Sequence, residues 1–337
     1  MILNTSAHAR VGLIGNPSDG YFGKTISVIL PSFSARVTLY ESPKLIIHPQ
    51  ASDRSDFDGL ADLVHDVQMN GYYGGMRLIK AAIKRFHDYC KEQDIELPDR
   101  NFTIEYETDV PVRVGLAGSS AIVTATIKAL MQFYGVQIAK PILPNLALSV
   151  ELDELGIGAG LQDRVIQVYG GAVFMNFDKQ LIESRGYGEY EPLDPSKLPP
   201  LFVAFRRLLA EGTEVPHNDL RGRFNRGEPK VLDAIRQFAD YAQQARDLIV
   251  AGEGNKIGPL MDANFDLRAS IMQISEGNRQ LVAAARKLGA SAKFAGSGGA
   301  IVGTYDGDAK TLEKLRQAYA ELDAELVVPK VTKDDSA

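Results

Sequence analysis

The sequence has little cysteine, no long apolar run and no block of basic charge. Cys90 is the single cysteine in 337 residues, which excludes an internal disulfide and predicts a reducing compartment, the cytoplasm. The N-terminus lacks the pattern of a secretion signal, and no apolar segment approaches the length that spans a bilayer. The 37 basic and 43 acidic residues give a net charge of −6 without a basic patch, so we expect neither a membrane nor a nucleic-acid partner.

The sequence also lacks the signatures of zinc sites and of two common nucleotide-binding folds. Its five histidines are scattered without ligand spacing, which argues against zinc. No Gly-x-x-x-x-Gly-Lys-Ser/Thr run is present, and no Gly-x-Gly-x-x-Gly run opens a helix after a first strand. A nicotinamide-dependent oxidoreductase needs the second of these runs and a ribose-binding acid about 20 residues later, so it is a weak alternative.

A glycine- and serine-rich run at residues 111–121 is the strongest positive signal. It follows an alternating, strand-like segment at 101–108 and leads into a helix-like segment at 121–131. Gly115 and Gly118 let the backbone approach an anion, and the free N–H groups at the start of a helix attract negative charge. The run predicts a phosphate-binding loop, and a helix cap without a ligand is the alternative.

The hydrophobic pattern predicts a mixed α and β fold in two parts. Four prolines between residues 192 and 200 interrupt this pattern, so we place a domain boundary there and divide the chain into 1–198 and 199–337. The main predicted elements are strands at 9–15, 25–30, 34–40, 170–177 and 201–205, and helices at 75–92, 144–155, 228–251 and 278–288.

Three separated glycine-bearing segments need one explanation. They are residues 10–19, residues 115–121 and residues 293–299. In this order they resemble the three motifs of the superfamily of galactokinase, homoserine kinase, mevalonate kinase and phosphomevalonate kinase, the GHMP kinases. The family's usual second motif is Gly-Leu-Gly/Ser-Ser-Ser-Ala, whereas here it runs Gly-Leu-Ala-Gly-Ser-Ser-Ala. The added residue leaves open whether Ser119 or Ser120 faces a metal ion.

Within that superfamily the sequence is similar to the glucuronokinases. The resemblance implies an α+β, two-domain GHMP kinase architecture, with an N-terminal domain like domain 2 of ribosomal protein S5 and a ferredoxin-like C-terminal domain. It also implies ATP- and Mg²⁺-dependent phosphorylation of the anomeric hydroxyl of a sugar, with glucuronate as the leading acceptor. A neutral hexose, a heptose or a non-catalytic sensor of sugar and ATP are the alternatives, and a monomer or a homodimer is left open. The similar stretches are residues 12–23, 70–75, 160–171, 217–223, 264–268 and 296–299.

The resemblance also assigns chemistry to particular residues. Asp163 matches the catalytic base, and Arg10 matches the basic residue of the first motif. A serine of the second motif would hold Mg²⁺ together with Glu151 or Glu154, which lie three residues apart on one predicted helix face. The nucleotide-binding residues are those of the second motif, Gly115, Leu116, Ala117, Gly118, Ser119, Ser120 and Ala121.

The sugar site is assigned to residues from several segments. Asp19 matches a sugar-hydroxyl contact, and the tyrosines Tyr21, Tyr72 and Tyr73 are candidates for its lining. A carboxylate on the sugar calls for an arginine, because the guanidinium offers a planar bidentate fork. The candidate arginines are Arg113, Arg221 and Arg223, and the third motif contributes Gly296, Ser297 and Gly298.

Overall fold

The computed structural model describes residues 2–50, 53, 57–70, 74–206 and 214–333. Over these residues the chain forms a six-stranded sheet followed by a four-stranded sheet, each covered by helices. The predicted α+β class is therefore confirmed. No helix of the described segments is long and apolar enough to cross a membrane.

A single long strand, β2, organises the first sheet. β1 pairs with it antiparallel along one side, and β4 and β5 pair with successive halves of its other side. β3 and β6 add to the outer edges of β4 and β5. The strands are β1 (Ile2–Ile14), β2 (Lys24–Glu41), β3 (Ile46–Ile47), β4 (Phe102–Thr108), β5 (Ala172–Asn176) and β6 (Glu189–Leu193).

The two strands predicted at 25–30 and 34–40 are one continuous strand with a bulge. His8 of β1 pairs with Ser34, but the next residue, Ala9, pairs with Leu30. Three residues of β2, beginning with Pro31, are therefore left out of the ladder. Proline has no N–H to donate, so the bulge accommodates it without the loss of a ladder hydrogen bond.

Helices cover the first sheet, and two of them begin next to predicted site residues. α2 spans the predicted range because Leu78, Ile79 and Phe86 recur at helical spacing and are buried. The helix predicted at 144–155 instead ends at Ser149 and continues as a π turn, Val150–Glu154. The helices are α1 (Leu60–Asn70), α2 (Gly75–Glu92), α3 (Gly118–Tyr134), α4 (Leu143–Ser149), α5 (Leu161–Tyr169) and α6 (Lys179–Arg185).

The second sheet has the strand order β10-β7-β9-β8 with antiparallel pairs throughout. Helices connect β7 to β8 and β9 to β10, which is the β-α-β-β-α-β arrangement of ferredoxin-like folds. The predicted strand at 201–205 and the two long helices are confirmed within two residues at each end. The elements are β7 (Leu201–Phe205), α7 (Glu214–Asn225), α8 (Pro229–Val250), α9 (Gly258–Ile271), α10 (Glu276–Lys287), β8 (Ser291–Phe294), β9 (Ala300–Thr304), α11 (Ala309–Ala320) and β10 (Glu325–Val327).

A shared apolar core joins the two sheets. Leu13 and Val28 of the first sheet pack in one buried cluster with Val203 of the second sheet and Ala242 of α8. This packing brings the end of β1, which carries the first motif, against the β8–β9 loop, which carries the third. The boundary predicted near residue 198 falls between β6 and β7 and stays a prediction.

Candidate active site

A pair formed by a buried arginine and a partly buried aspartate lies where the three motifs meet. Arg10 projects from β1 and is 5% exposed, and its Nε and Nη2 each lie 2.6 Å from Oδ1 of Asp163. Its Nη1 donates to the carbonyl oxygens of Gly115, at 2.8 Å, and Ala295, at 3.0 Å. One guanidinium therefore contacts the predicted base and the loops of the second and third motifs.

The loops of the second and third motifs touch backbone to backbone. Gly115 has φ +75°, and a Cβ there would lie 2.9 Å from the carbonyl oxygen of Gly298. A Cβ on Gly296 would collide with the carbonyl oxygen of Gly115. Glycine is required at both positions, because only a residue without Cβ permits this approach.

Two buried cations that the sequence did not single out hold the third motif in place. Arg268 of α9 donates to the carbonyl oxygens of Gly296, at 2.8 Å, and Ser297, at 3.1 Å. Lys293 Nζ donates to the carbonyl oxygen of Gly12 at 2.6 Å and to Asn16 Oδ1 at 2.5 Å. Burial lowers the pKa of Arg268 to about 10 and lowers that of Lys293 well below its ordinary value. In the sequence, the signal that could have identified Arg268 and Lys293 was their position inside stretches that resemble the family.

The two serines of the second motif have different surroundings. α3 begins at Gly118, after Ala117 in the left-handed conformation. Ser119 is exposed, and its Oγ donates to Glu151 Oε1 at 2.8 Å. Ser120 is fully buried, and its Oγ donates back to the carbonyl oxygen of Ala117 at 3.0 Å. Ser119 is thus the serine that faces a carboxylate.

The π turn separates the two glutamates that were predicted to share a helix face. Glu151 is 1% exposed and lies beside Ser119, whereas Glu154 accepts from Lys84 Nζ at 2.7 Å on the surface. A π turn closes with i→i+5 hydrogen bonds, so residues three apart no longer point the same way. The structure brings Glu151 to the second motif and leaves Glu154 away from it.

Arg164, a third residue that the sequence did not single out, links the two carboxylates. Its guanidinium is fully buried and forms an ion pair with Glu151. Its Nη1 donates to the carbonyl oxygen of Gly160 at 2.8 Å and lies 3.5 Å from Asp163 Oδ2. Burial, and next the charge of Arg10, lower the pKa of Arg164 to about 9. Only its position next to Asp163 could have drawn attention to it.

Asp19 and Tyr21 lie together on the 3-10 turn that follows β1, Ser18–Tyr21. Burial, and next the charge of Asp163, raise the pKa of Asp19 to about 6. The Tyr21 side chain is 6% exposed, and the Arg221 guanidinium carbon lies 4.3 Å from its ring centroid. The structure therefore groups Asp19, Tyr21 and Arg221 beside the Arg10–Asp163 pair.

The remaining predicted residues fall in other places. Arg223 forms a bidentate ion pair with Glu228, and Arg113 is exposed in the turn that precedes the second motif, with φ +61°. Tyr72 and Tyr73 lie outside the described residues.

Fold and site together define the class of this protein. Residues 77–171 match the model of the GHMP kinases N terminal domain. Glucuronokinase 1 of Arabidopsis thaliana is 42% identical over 300 residues, which cover 87% of this chain and 82% of that protein. The chain belongs to the GHMP kinase family.

Within that family the chain is similar to the glucuronokinases. Probable glucuronokinase 2 of Arabidopsis thaliana is 43% identical over 301 residues, again 87% of this chain and 82% of that protein. Solved structures extend the likeness in fold. The Streptococcus pneumoniae phosphomevalonate kinase in complex with phosphomevalonate and AMPPNP has a TM-score of 0.76 at 17% identity, over 98% of this chain and 100% of that chain. The Lactococcus lactis galactokinase complexed with galactose has a TM-score of 0.74 at 15% identity, over 98% of this chain and 93% of that chain.

Proposed function

We propose that this chain transfers the γ-phosphoryl group of ATP to the anomeric hydroxyl of glucuronate, which yields glucuronate 1-phosphate and ADP. The observation that carries the proposal is the Arg10–Asp163 pair, with 2.6 Å contacts, at the junction of the three motifs. The 42% identity to a glucuronokinase supports the choice of acceptor.

Asp163 is proposed as the general base. Both Arg10 contacts fall on Oδ1, whereas Oδ2 receives only the long 3.5 Å contact from Arg164 among the described residues. Oδ2 is therefore the oxygen that accepts the proton of the anomeric hydroxyl. The sugar oxygen then bonds to the γ-phosphorus as the bond to the β–γ bridging oxygen breaks, and ADP leaves with that oxygen.

Arg10 serves two purposes in this proposal. Its Nε and Nη2 contacts to Oδ1 orient the Asp163 carboxylate, and its Nη1 contacts fix the loops proposed to surround the phosphates. The start of α3 supplies backbone N–H groups to the phosphate oxygens, because the first N–H groups of a helix have no partner inside the helix. The chain thus contributes mainly positioning and charge, as phosphoryl transfer requires.

The surroundings of Ser119 fit a magnesium ion. The Ser119 hydroxyl and the Glu151 carboxylate, joined at 2.8 Å, are the hard oxygen donors that Mg²⁺ prefers. In the described part of the chain, no group of three or more His, Cys, Asp or Glu side chains could hold a metal alone, so nucleotide phosphates would complete the coordination. When bound, Mg²⁺ would neutralise charge on the transferring phosphates.

The test is ADP release by the full chain with MgATP and a panel of acceptors. We expect the highest kcat/KM with glucuronate, above glucose, galactose and heptoses. Faster turnover of a neutral sugar would show that the acceptor is that sugar and not glucuronate. Binding of sugar and ATP without ADP release would favour the non-catalytic sensor. The cytoplasm stays the expected compartment, since Cys90 is the single cysteine.

A further inference from the structure

A hexuronate presents a carboxylate that the site must bind, and the three candidate arginines have different surroundings. Arg223 is committed elsewhere. It donates Nε and Nη2 to Glu228 at 2.8 and 2.7 Å and Nη1 to the carbonyl oxygen of Ile271 at 2.5 Å. These contacts tie the end of α7 to α8 and α9, which is a structural role.

Arg113 lies on the phosphate side of the site. It precedes Val114 and Gly115, and these two residues approach Gly299 and Gly298 of the third motif closely. The turn that carries Arg113 therefore accompanies the loops proposed to hold the nucleotide. An arginine at this position is therefore placed to contact a phosphate group rather than the sugar.

Arg221 lies on the sugar side. Its guanidinium carbon is 4.3 Å from the Tyr21 ring centroid, and a Cβ on Gly20 would lie 3.1 Å from its Nη2. The guanidinium thus covers the 3-10 turn that carries Asp19. Arg221 is exposed, and among the described residues the guanidinium stacks on the ring of Tyr21.

The surroundings of Arg221 hold its guanidinium in place before any ligand arrives. The neighbouring Leu220 is fully buried, which anchors this part of α7. Tyr21 is itself fixed by Phe224, with ring centroids 4.8 Å apart. An arginine that stacks on an aromatic face keeps the N–H groups at its planar edge free for a carboxylate.

We infer that Arg221, stacked on Tyr21, is the specificity-determining residue that binds the carboxylate of the acceptor sugar. The inference rests on the proposed function and deepens it. In a hexuronate the carboxylate is borne by the carbon that the ring oxygen joins to the anomeric carbon, so its binding group must lie one sugar ring from the base. Besides burial, the charge of Asp163 raises the pKa of Asp19, and the charges of Arg221 and Asp19 both affect the pKa of Tyr21. These four side chains therefore form a series of neighbours from the proposed base to the proposed carboxylate-binding residue.

The test compares kcat/KM for glucuronate and glucose in the full-length chain and in variants. Arg221→Met should lower the glucuronate-to-glucose ratio by about ten- to a hundred-fold, the range expected for hydrogen bonds to a charged group. The loss should lie mainly in KM, because the carboxylate does not take part in the chemical step. Arg221→Lys should retain part of the ratio, since lysine keeps the charge but not the fork.

Two matched variants make the outcome decisive. Arg226→Met removes the same charge from an exposed arginine five residues along and should keep the wild-type ratio, as should Arg113→Met. A folded Arg221→Met variant with the wild-type ratio would overturn the inference, and so would loss of the ratio in Arg113→Met alone. A wild-type enzyme that prefers glucose would instead overturn the proposed acceptor, whatever the variants do.

Discussion

The proposed phosphate side and the proposed sugar side of this site are built in opposite ways. On the phosphate side, Arg10 and Arg164 are buried, and their guanidinium groups bind carboxylates and backbone carbonyls. On the sugar side, Arg221 is exposed and rests on the ring of Tyr21. The groups proposed for the chemistry are thus part of the interior of the fold, whereas the group proposed for acceptor choice lies at its rim.

This difference follows from the cost of burying charge. A buried cation is tolerated only when it is paired and hydrogen-bonded, and removal of one partner leaves the other uncompensated. Substitutions of the buried charged residues on the phosphate side should therefore affect stability together with rate. Substitutions at the rim should change recognition alone, so the two kinds of effect can be separated experimentally.

The largest expected effect is that of Asp163→Asn. Without the proposed base, turnover should fall by roughly 10²–10⁴-fold. Calorimetry should still detect ATP binding, because the substitution leaves the loops proposed to hold the phosphates unchanged. The asparagine can keep a hydrogen bond to Arg10, so we expect a folded protein. Turnover within a few-fold of wild type would remove Asp163 from the role of base.

The next largest effect is expected at Glu151 and distinguishes it from Glu154. Glu151→Gln leaves buried Arg164 without the carboxylate of its ion pair, which should cost about 3 kcal/mol of unfolding free energy. It also replaces the charged oxygen of the proposed Mg²⁺ ligand by a neutral amide oxygen, which should raise the half-saturating Mg²⁺ concentration about tenfold or more. Glu154→Gln loses only its surface pair with Lys84 and is the matched control. Thermal unfolding and Mg²⁺ titration check both variants, and equal Mg²⁺ requirements would contradict the assignment.

Ser119 and Ser120, in the first turn of α3, are expected to differ in their effects on Mg²⁺ dependence and on stability. Ser119→Ala should raise the half-saturating Mg²⁺ concentration about tenfold, the effect of a lost contact to a charged group. Ser120→Ala should leave the Mg²⁺ requirement unchanged and lower the unfolding free energy by about 1 kcal/mol, because its buried hydroxyl bonds only the helix backbone in the described structure. The reverse pattern in Mg²⁺ titrations would assign the metal to Ser120.

The smallest effect is a pH dependence on the sugar side. Asp19 is proposed to contact a sugar hydroxyl, and its pKa is raised to about 6. Its carboxylate is fully charged only above that pH, so KM for glucuronate should rise as pH falls through 6. The folded state also binds a proton that the unfolded state lacks between pH 4 and 6, roughly, so the stability from Asp19 declines as pH rises through that window. Asp19→Asn should flatten both profiles, and parallel profiles in the two proteins would contradict this account.

The elements with strong local signals could be predicted from the sequence. The amphipathic spacing of α2 and the apolar run of β7 fixed their limits to within two residues, and the three glycine-bearing segments indicated which loops would meet. The continuity of β2 could not be predicted, because the bulge at Pro31 depends on pairing with β1, which lies elsewhere in the chain. Local pattern carries no information about such a partner.

The details of the site depend even more on long-range packing. Ser119 and Ser120 are neighbours of the same type, and only the position of α3 relative to Glu151 distinguishes them. The π turn that moves Glu154 away from the second motif has no marker in the residues themselves. The burial of Arg164, Arg268 and Lys293 has no local marker, because it comes from partners elsewhere in the chain. Arg164 pairs with Glu151, and Arg268 and Lys293 bind backbone carbonyls of the third and first motifs.

The most direct test of the central claim is phosphorus NMR of the product that the wild-type chain forms from MgATP and glucuronate. If the Arg10–Asp163 pair activates the anomeric hydroxyl, the new phosphate signal will couple to the anomeric proton of glucuronate, and with Asp163→Asn this signal will grow at least about a hundredfold more slowly. A phosphate on another carbon, or a product signal of equal size from the Asp163→Asn protein, would contradict the account.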